Sequence, residues 1–186
     1  MPAEEPHLRR VGRGDWAALR DLRLEALADT PVAYLETLDA ARALGDDAWQ
    51  ARARRGAEGG DSVQVMAFDQ QRAVSTSVGF VAGGTAWLAA VYVTPAWRGR
   101  GLLGPMVDRV GAWARERGEP RLTLEVHEDN GPARAAYARL GFAETGVRRP
   151  YPLDPTGDEV EMVLDLRRAV AGTIGYRRGL LRGAPP

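Results

Sequence analysis

The sequence predicts an α/β domain with a mixed, mainly antiparallel central sheet flanked by helices, and three observations predict it. Apolar and polar residues alternate in short runs at 63–68, 74–82 and 122–127, the period of a half-buried strand. Elsewhere the apolar spacing becomes three and four: Leu103, Met106, Val107, Val110 and Trp113 form one stripe of an amphipathic helix. The order also counts, with mostly antiparallel strands first, then a strand–helix–strand unit and a second helix–strand unit.

Taken in order, 7–11 reads as a short strand. Gly14 and Asp15 then cap a helix through residue 28, whose apolar positions are Trp16, Leu19, Leu22, Leu24 and Leu27. Thr30-Pro31 stops it. A more polar helix is expected at about 46–55 and a flexible turn at 56–61. The polar turn 69–72 joins the strands 63–68 and 74–82 into an antiparallel hairpin, and Gly83-Gly84 leads into a strand at 86–93. The helix bearing Leu103 ends near Gly118. The strand 122–127 sets Leu122, Leu124 and Val126 against Thr123, Glu125 and His127. Asn130-Gly131-Pro132 opens another helix, with Ala133, Ala136, Tyr137 and Leu140 facing inward and Gly141 ending it. Residues 142–145 and 160–166 read as a closing strand pair around a Pro-rich loop at 148–158. No internal repeat is present. The chain divides into one domain over 1–166 and an Arg/Gly-rich tail over 167–186.

Composition narrows the chemistry. At 186 residues, 45% hydrophobic and 27% charged, the chain is ordinary for a soluble globular domain. Zero formal net charge offers no bulk attraction to nucleic acid or to an anionic membrane. There is no cysteine, so neither a disulfide framework nor a thiolate nucleophile exists. His7 and His127 lie far apart, and no metal site is expected. Every basic side chain is Arg, so lysine nucleophiles and Schiff bases are excluded. No long apolar run is present and MPAEEPHLRR lacks a signal-peptide core, so a cytoplasmic protein without a membrane partner is the expectation.

The stretch 87–104, WLAAVYVTPAWRGRGLLG, carries the strongest functional signal. A β-branched run gives way to a Pro95 turn, then to Gly99, Gly101 and Gly104 at the start of a helix. Glycines leave main-chain amides unshielded, and a helix N-terminus adds unpaired donors and partial positive charge. Arg98 and Arg100 add forked donors suited to phosphate. GRGLLG also matches the G-x-G-x-x-G of nicotinamide-dinucleotide oxidoreductases, with Glu125, Glu128 or Asp129 as the acidic partner. Two details oppose that reading. Five residues separate the strand from the first glycine, and the strand comes late in the chain. A P-loop is excluded by the absence of Gly-Lys-Ser/Thr.

The segment Val93-Thr-Pro95-Ala-Trp-Arg98-Gly-Arg-Gly101 resembles the V-x-P-x-x-R-G-x-G motif of the GNAT superfamily of acyl-CoA-dependent N-acyltransferases. Asn130-Gly-Pro-Ala-Arg-Ala-Ala-Tyr137-Ala-Arg-Leu-Gly-Phe142 resembles that family's N-x-x-A-x-x-x-Y-x-x-x-G-F, in the right order and separation. Residues 23–34, RLEALADTPVAY, are similar to the N-terminal helix and turn of one branch, so the resemblance covers about 7–166. One departure is Leu103, where the family usually has Gly or Ala.

The resemblance implies an N-acetyltransferase with acetyl-CoA as cosubstrate and a small-molecule or peptide amine as acceptor. Val91, Tyr92 and Val93 would hold the pantetheine amides as an added strand. Arg98, Gly99, Arg100, Gly101, Leu103 and Gly104 would take the pyrophosphate. Asn130 would bond the pantetheine arm or cap its helix. Tyr137 would be the general acid for the thiolate; taken alone it is a core aromatic on an inner stripe. The family's acidic residue before the glycine loop is missing, because no Asp or Glu lies between Asp69 and Asp108. Glu125 and His127 are the substitute bases, or plain polar residues of that strand; a water chain needs neither. Tyr34, Glu36, Arg149 and Tyr151 would line the acceptor pocket. Glu36 suits a cationic amine and the Arg148–Arg149 pair suits a carboxylate or phosphate, so the acceptor stays open. A protein that binds acyl-CoA with little turnover is the alternative. Dimerisation fits the family, although no segment predicts an interface.

Overall fold

The computed structural model describes residues 5–167, so all of the expected tail beyond Arg167 lies outside it. Seven strands form one sheet: β1 (His7–Arg10), β2 (Ser62–Asp69), β3 (Arg72–Ala82), β4 (Thr85–Val93), β5 (Arg121–His127), β6 (Ala143–Tyr151) and β7 (Asp154–Asp165). Their order across the sheet is β1-β2-β3-β4-β5-β7-β6, antiparallel everywhere except between β4 and β5. Helices α1 (Trp16–Asp29), α2 (Leu38–Arg42) and α3 (Asp46–Glu58) connect β1 to β2. Helix α4 (Leu103–Glu116) crosses from β4 to β5, and α5 (Gly131–Arg139) follows β5.

Strand alternation sorts the side chains into two cores. Val63, Val65, Leu88, Leu122, Leu124 and Met162 pack with Val107 and Val110 of α4. On the opposite face Met66, Phe68 and Tyr92 pack with Leu19 and Leu27 of α1 and with Trp49 of α3, which is wholly buried. Gly79 lies under α4, where a Cβ would come within 2.6 Å of Val110 Cγ1; a side chain there would push helix from sheet.

Two features differ from the sequence expectation. The Pro-rich loop at 148–158 is mostly strand: β6 runs to Tyr151 and β7 starts at Asp154, with Arg149 opposite Glu159 and Pro150 opposite Asp158. Pro150 interrupts no central ladder because β6 is an edge strand. The short helix α2 was also not expected; it starts where the Thr37 side chain accepts a hydrogen bond from the Ala40 amide.

Two irregularities place the site. The parallel pairing of β4 with β5 covers two rungs only, Ala86 with Leu122 and Trp87 with Thr123. Beyond them the β4 edge from Leu88 to Val93 has no ladder partner on that side among the described residues. In addition, the β3–β4 register shifts between Thr76 and Val78, and Ala90 opposite the shift has φ +51°, a left-handed conformation that costs a non-glycine residue roughly 1–2 kcal/mol.

Candidate active site

Three hydrogen bonds fix which way the free edge of β4 points. The Thr94 amide donates to the Val74 carbonyl of β3 at 2.9 Å. The Tyr34 hydroxyl donates to the Val91 carbonyl at 3.1 Å, and Arg98 Nε donates to the Val93 carbonyl at 3.0 Å. Main-chain groups alternate along a strand, so Val91 and Val93 present their amides to the gap beside β5. Tyr92 turns its main chain to β3 and buries its ring against α1, with its hydroxyl donating to Glu25 at 3.2 Å. Of the three residues expected to meet the pantetheine arm, Val91 and Val93 therefore face the opening.

The glycine loop follows at once. A turn at Pro95–Trp97 leads to Gly99 (φ +73°) and Gly101 (φ +83°), conformations that suit glycine and turn the loop amides outward. The amides of Gly99, Arg100 and Gly101 meet no acceptor among the described residues. Leu103 and Gly104 open α4, whose N-cap residue, Leu102, supplies no side-chain cap. Their amides are helix-terminal donors with no intrahelical partner. The Leu103 side chain packs into the α4-side core, and Gly104 lies near Leu140, the residue that follows α5. Arg98 braces the loop: it pairs with Asp29 at the end of α1 while holding the Val93 carbonyl. Arg100 stacks over Trp97 at 4.9 Å and makes no ion pair among the described residues. Asn130 caps α5, its Oδ1 accepting from the Ala133 amide at 3.3 Å.

Tyr137 stands on the inner side of α5. Its ring meets Phe142 edge-on at 5.6 Å, and its hydroxyl makes no hydrogen bond among the described residues. Burial raises its pKa far above that of a free phenol, with a smaller contribution from Tyr34, so it is protonated at neutral pH. Tyr34 itself is pushed up to about 12, chiefly by burial. The Tyr151 hydroxyl donates to the Tyr34 carbonyl at 2.7 Å, and the Tyr151 ring meets His127 edge-on at 4.9 Å. Tyr34, Tyr151 and His127 thus tie the segment after α1 to β5 and β6.

The charged candidates are mostly engaged. Glu36 is held by Arg52 at 2.6 Å and by Arg23 at 3.0 Å. Arg149 pairs with Glu125 at 2.5 Å and Glu161 at 3.3 Å, and Arg148 with Glu128 at 2.7 Å. His127 accepts from the Asp129 amide through Nδ1 at 3.2 Å. The Nε2 side of the imidazole abuts Gly157, where a Cβ would come within 2.6 Å of Nε2.

One carboxylate outside the sequence candidates stands free on this face. Glu159 of β7 lies opposite His127 of β5 and makes no hydrogen bond or ion pair among the described residues. Burial first, and then the charge of Glu125, raise its pKa above the ordinary carboxylate value, against His127 and Arg149. Alternation carried back from Val160 and Met162 puts Glu159 and Glu161 on the polar face, and that signal finds it. On the other side of β4, a cavity of about 270 Å³ between α1, α3 and β2–β4 reaches Ala90 at the bulge.

An interrupted parallel pair beside a glycine-turned helix start defines a site for a phosphorylated cosubstrate with an extended amide-bearing arm. The model described as the acetyltransferase (GNAT) family matches residues 18–142, most of the chain, and the chain belongs to that family. An aminoglycoside N(6')-acetyltransferase type 1 from Stenotrophomonas maltophilia is 32% identical over 162 residues, covering 84% of this chain and 99% of that protein. A streptothricin acetyltransferase from Streptomyces lavendulae is 42% identical over 57 residues, 31% of this chain and 30% of that enzyme's length. The fold is shared with yncA of Salmonella typhimurium, solved with acetyl-CoA (TM-score 0.71, 20% identity, 88% and 95% coverage). It is shared also with the paia N-acetyltransferase of Thermoplasma acidophilum in complex with coenzyme A (TM-score 0.67, 15% identity, 85% and 98% coverage). The chain is an acetyltransferase with acetyl-CoA as its cosubstrate. Among the described residues no helix is long and apolar enough to cross a membrane.

Proposed function

We infer that the chain transfers the acetyl group directly to a primary amine within a ternary complex. The observation that carries this reading is the unpaired β4 edge at Val91 and Val93, leading straight into the glycine loop. A pantetheine arm laid along that edge takes the place of a strand, and the amides of 99–104, with Arg100, bind the pyrophosphate. The free Nδ2 of Asn130 serves the arm while Oδ1 caps α5. The amine nitrogen attacks the thioester carbon, and the Val91 amide donates to the oxyanion. The C–S bond then breaks and Tyr137 gives its proton to the thiolate. With no Cys or Lys to carry an acyl intermediate, direct attack needs fewer parts.

The ammonium must first lose a proton. Arg149 neutralises Glu125, and Nδ1 of His127 is occupied, so both act here as supports of the β5 face. Glu159 takes the proton, directly or through water. The acceptor is a small-molecule amine, in keeping with relatives named for aminoglycosides and streptothricin, and Tyr34 and Tyr151 shape its entrance. A cytoplasmic setting fits a chain with no cysteine to oxidise.

Thermal shift with acetyl-CoA, CoA, NAD and NADP tests the cradle. A ligand at about 100 times its Kd adds roughly 2.7 kcal/mol. Stabilisation by acetyl-CoA and CoA alone, followed by amine-dependent release of free thiol, is the expected result. Stabilisation by NAD or NADP alone would sink the reading; thiol release that amines do not stimulate would leave a binding protein.

A further inference from the structure

Glu36, Arg148 and Arg149 are each neutralised by partners of their own, and an uncompensated charge lies elsewhere. The walls of the 270 Å³ cavity include Arg23, Arg52 and Arg55 and no Asp or Glu. A single carboxylate, Glu36, answers Arg23 and Arg52 together. Arg55 makes no ion pair among the described residues. The rest of the lining is neutral: Gln64 donates to the Thr76 hydroxyl at 3.0 Å, and Val78 and Phe80 are apolar. Arg23 and Arg52 are half-buried and Arg55 is exposed, and the net positive charge they give the chamber repels a polycation and favours an anion.

The cavity also has a direction. Tyr34 and Ala90 belong to its lining, and the Tyr34 hydroxyl meets the Val91 carbonyl, beside the amide assigned to the thioester oxygen. Arg52 and Arg55 come from α3, and Arg23 of α1 stacks over the Tyr34 ring at 4.3 Å, beside the residue that meets the bulge. Its volume sits below the roughly 300–1,000 Å³ of drug-sized sites, which matches a molecule of amino-acid size. We propose that the acceptor is a small amine bearing a carboxylate on the same molecule, with the carboxylate held among Arg55, Arg52 and Arg23 and the amine directed at the Ala90–Val91 bulge. This rests on the acetyl-transfer reading above and adds the acceptor's charge to it.

The test uses the full chain with saturating acetyl-CoA and measures free thiol release. The acceptors are the α-amino acids, β-alanine and γ-aminobutyrate, each beside its amide, and an aminoglycoside and spermidine as polycations. The expected result is a carboxylate-bearing acceptor at least tenfold better in kcat/KM than its amide and than either polycation. Arg55→Gln is expected to raise KM for that acceptor about tenfold, leaving KM for its amide and for acetyl-CoA alone. Equal or better turnover of the amides or polycations overturns the proposal, as does absence of turnover of every carboxylate-bearing amine. The thermal shift with acetyl-CoA separates the two failures: binding retained leaves the acetyl-transfer reading standing, and binding lost removes both.

Discussion

The two sides of the β4 edge are built from different material. Toward α4 the site is mostly main chain: amides at Val91 and Val93, then a glycine loop and a helix start, all within 91–104, with Tyr137 of α5 the side chain set beside them. Toward α1, α3, β5 and β7 it is side chain, and apart from Glu159 the groups get their character from partners far along the sequence. Glu36 meets Arg52, Arg149 meets Glu125, and the Tyr151 hydroxyl meets the Tyr34 carbonyl. A main-chain site depends on local conformation and tolerates varied side chains. A side-chain site is defined by pairings, and one exchanged partner changes what it recognises.

That contrast can be tested from its strongest effect downward. Tyr137→Phe removes the proton donor proposed for the thiolate, and kcat is expected to fall on the order of 10³-fold. Acetyl-CoA binding by calorimetry should be unchanged; an equal loss of affinity would make the tyrosine a packing residue. Glu159→Gln should lower kcat/KM at neutral pH by about 10²-fold. Because burial raises this carboxyl, the active ionised form disappears as pH falls through a value above the ordinary carboxylate range. The wild-type pH profile should therefore carry an acid limb there, and the variant's should not. If the limb persists, another group holds the proton.

Gly101→Val examines the main-chain side. At φ +83° a β-branched residue must move the loop, so KM for acetyl-CoA should rise about tenfold, roughly 1.4 kcal/mol, with kcat at saturation retained. The smallest effect is expected from Glu36→Gln, which leaves two arginines without their carboxylate and should cost about 1 kcal/mol in urea unfolding at pH 7. Burial raises the pKa of Glu36, but Arg52 and Arg23 outweigh it and hold the carboxyl below its usual value. Its contribution is thus complete above the unfolded pKa and disappears as pH falls through the lower folded one. Wild type and variant should converge in acid.

The sheet and the glycine loop were legible because their signals are local: alternation at 63–68 and 122–127, and glycines placed where an outward amide needs them. The stretch 148–158 misled because β6 is an exposed edge strand, so its Arg- and Pro-containing run lacks the alternation a buried face imposes. Leu103 departs from the small residue usual in the motif, and its side chain packs against the core. Glu36, Arg149, Glu125 and His127 were readable as side chains, but their ion-pair and hydrogen-bond partners follow from tertiary structure alone. Glu159 was concealed by the same misread strand boundary.

The two-rung joint between β4 and β5 has a mechanical meaning. Four strands lie on one side of it and three on the other, and the apolar core beneath α4 draws side chains from both halves. Under heat or pulling force the seam is where the sheet should part, with amides of both halves exchanging early near the bulge. A pantetheine arm lying in the gap would act as a splint. Loading the enzyme with its cosubstrate should then make the two halves melt as one body.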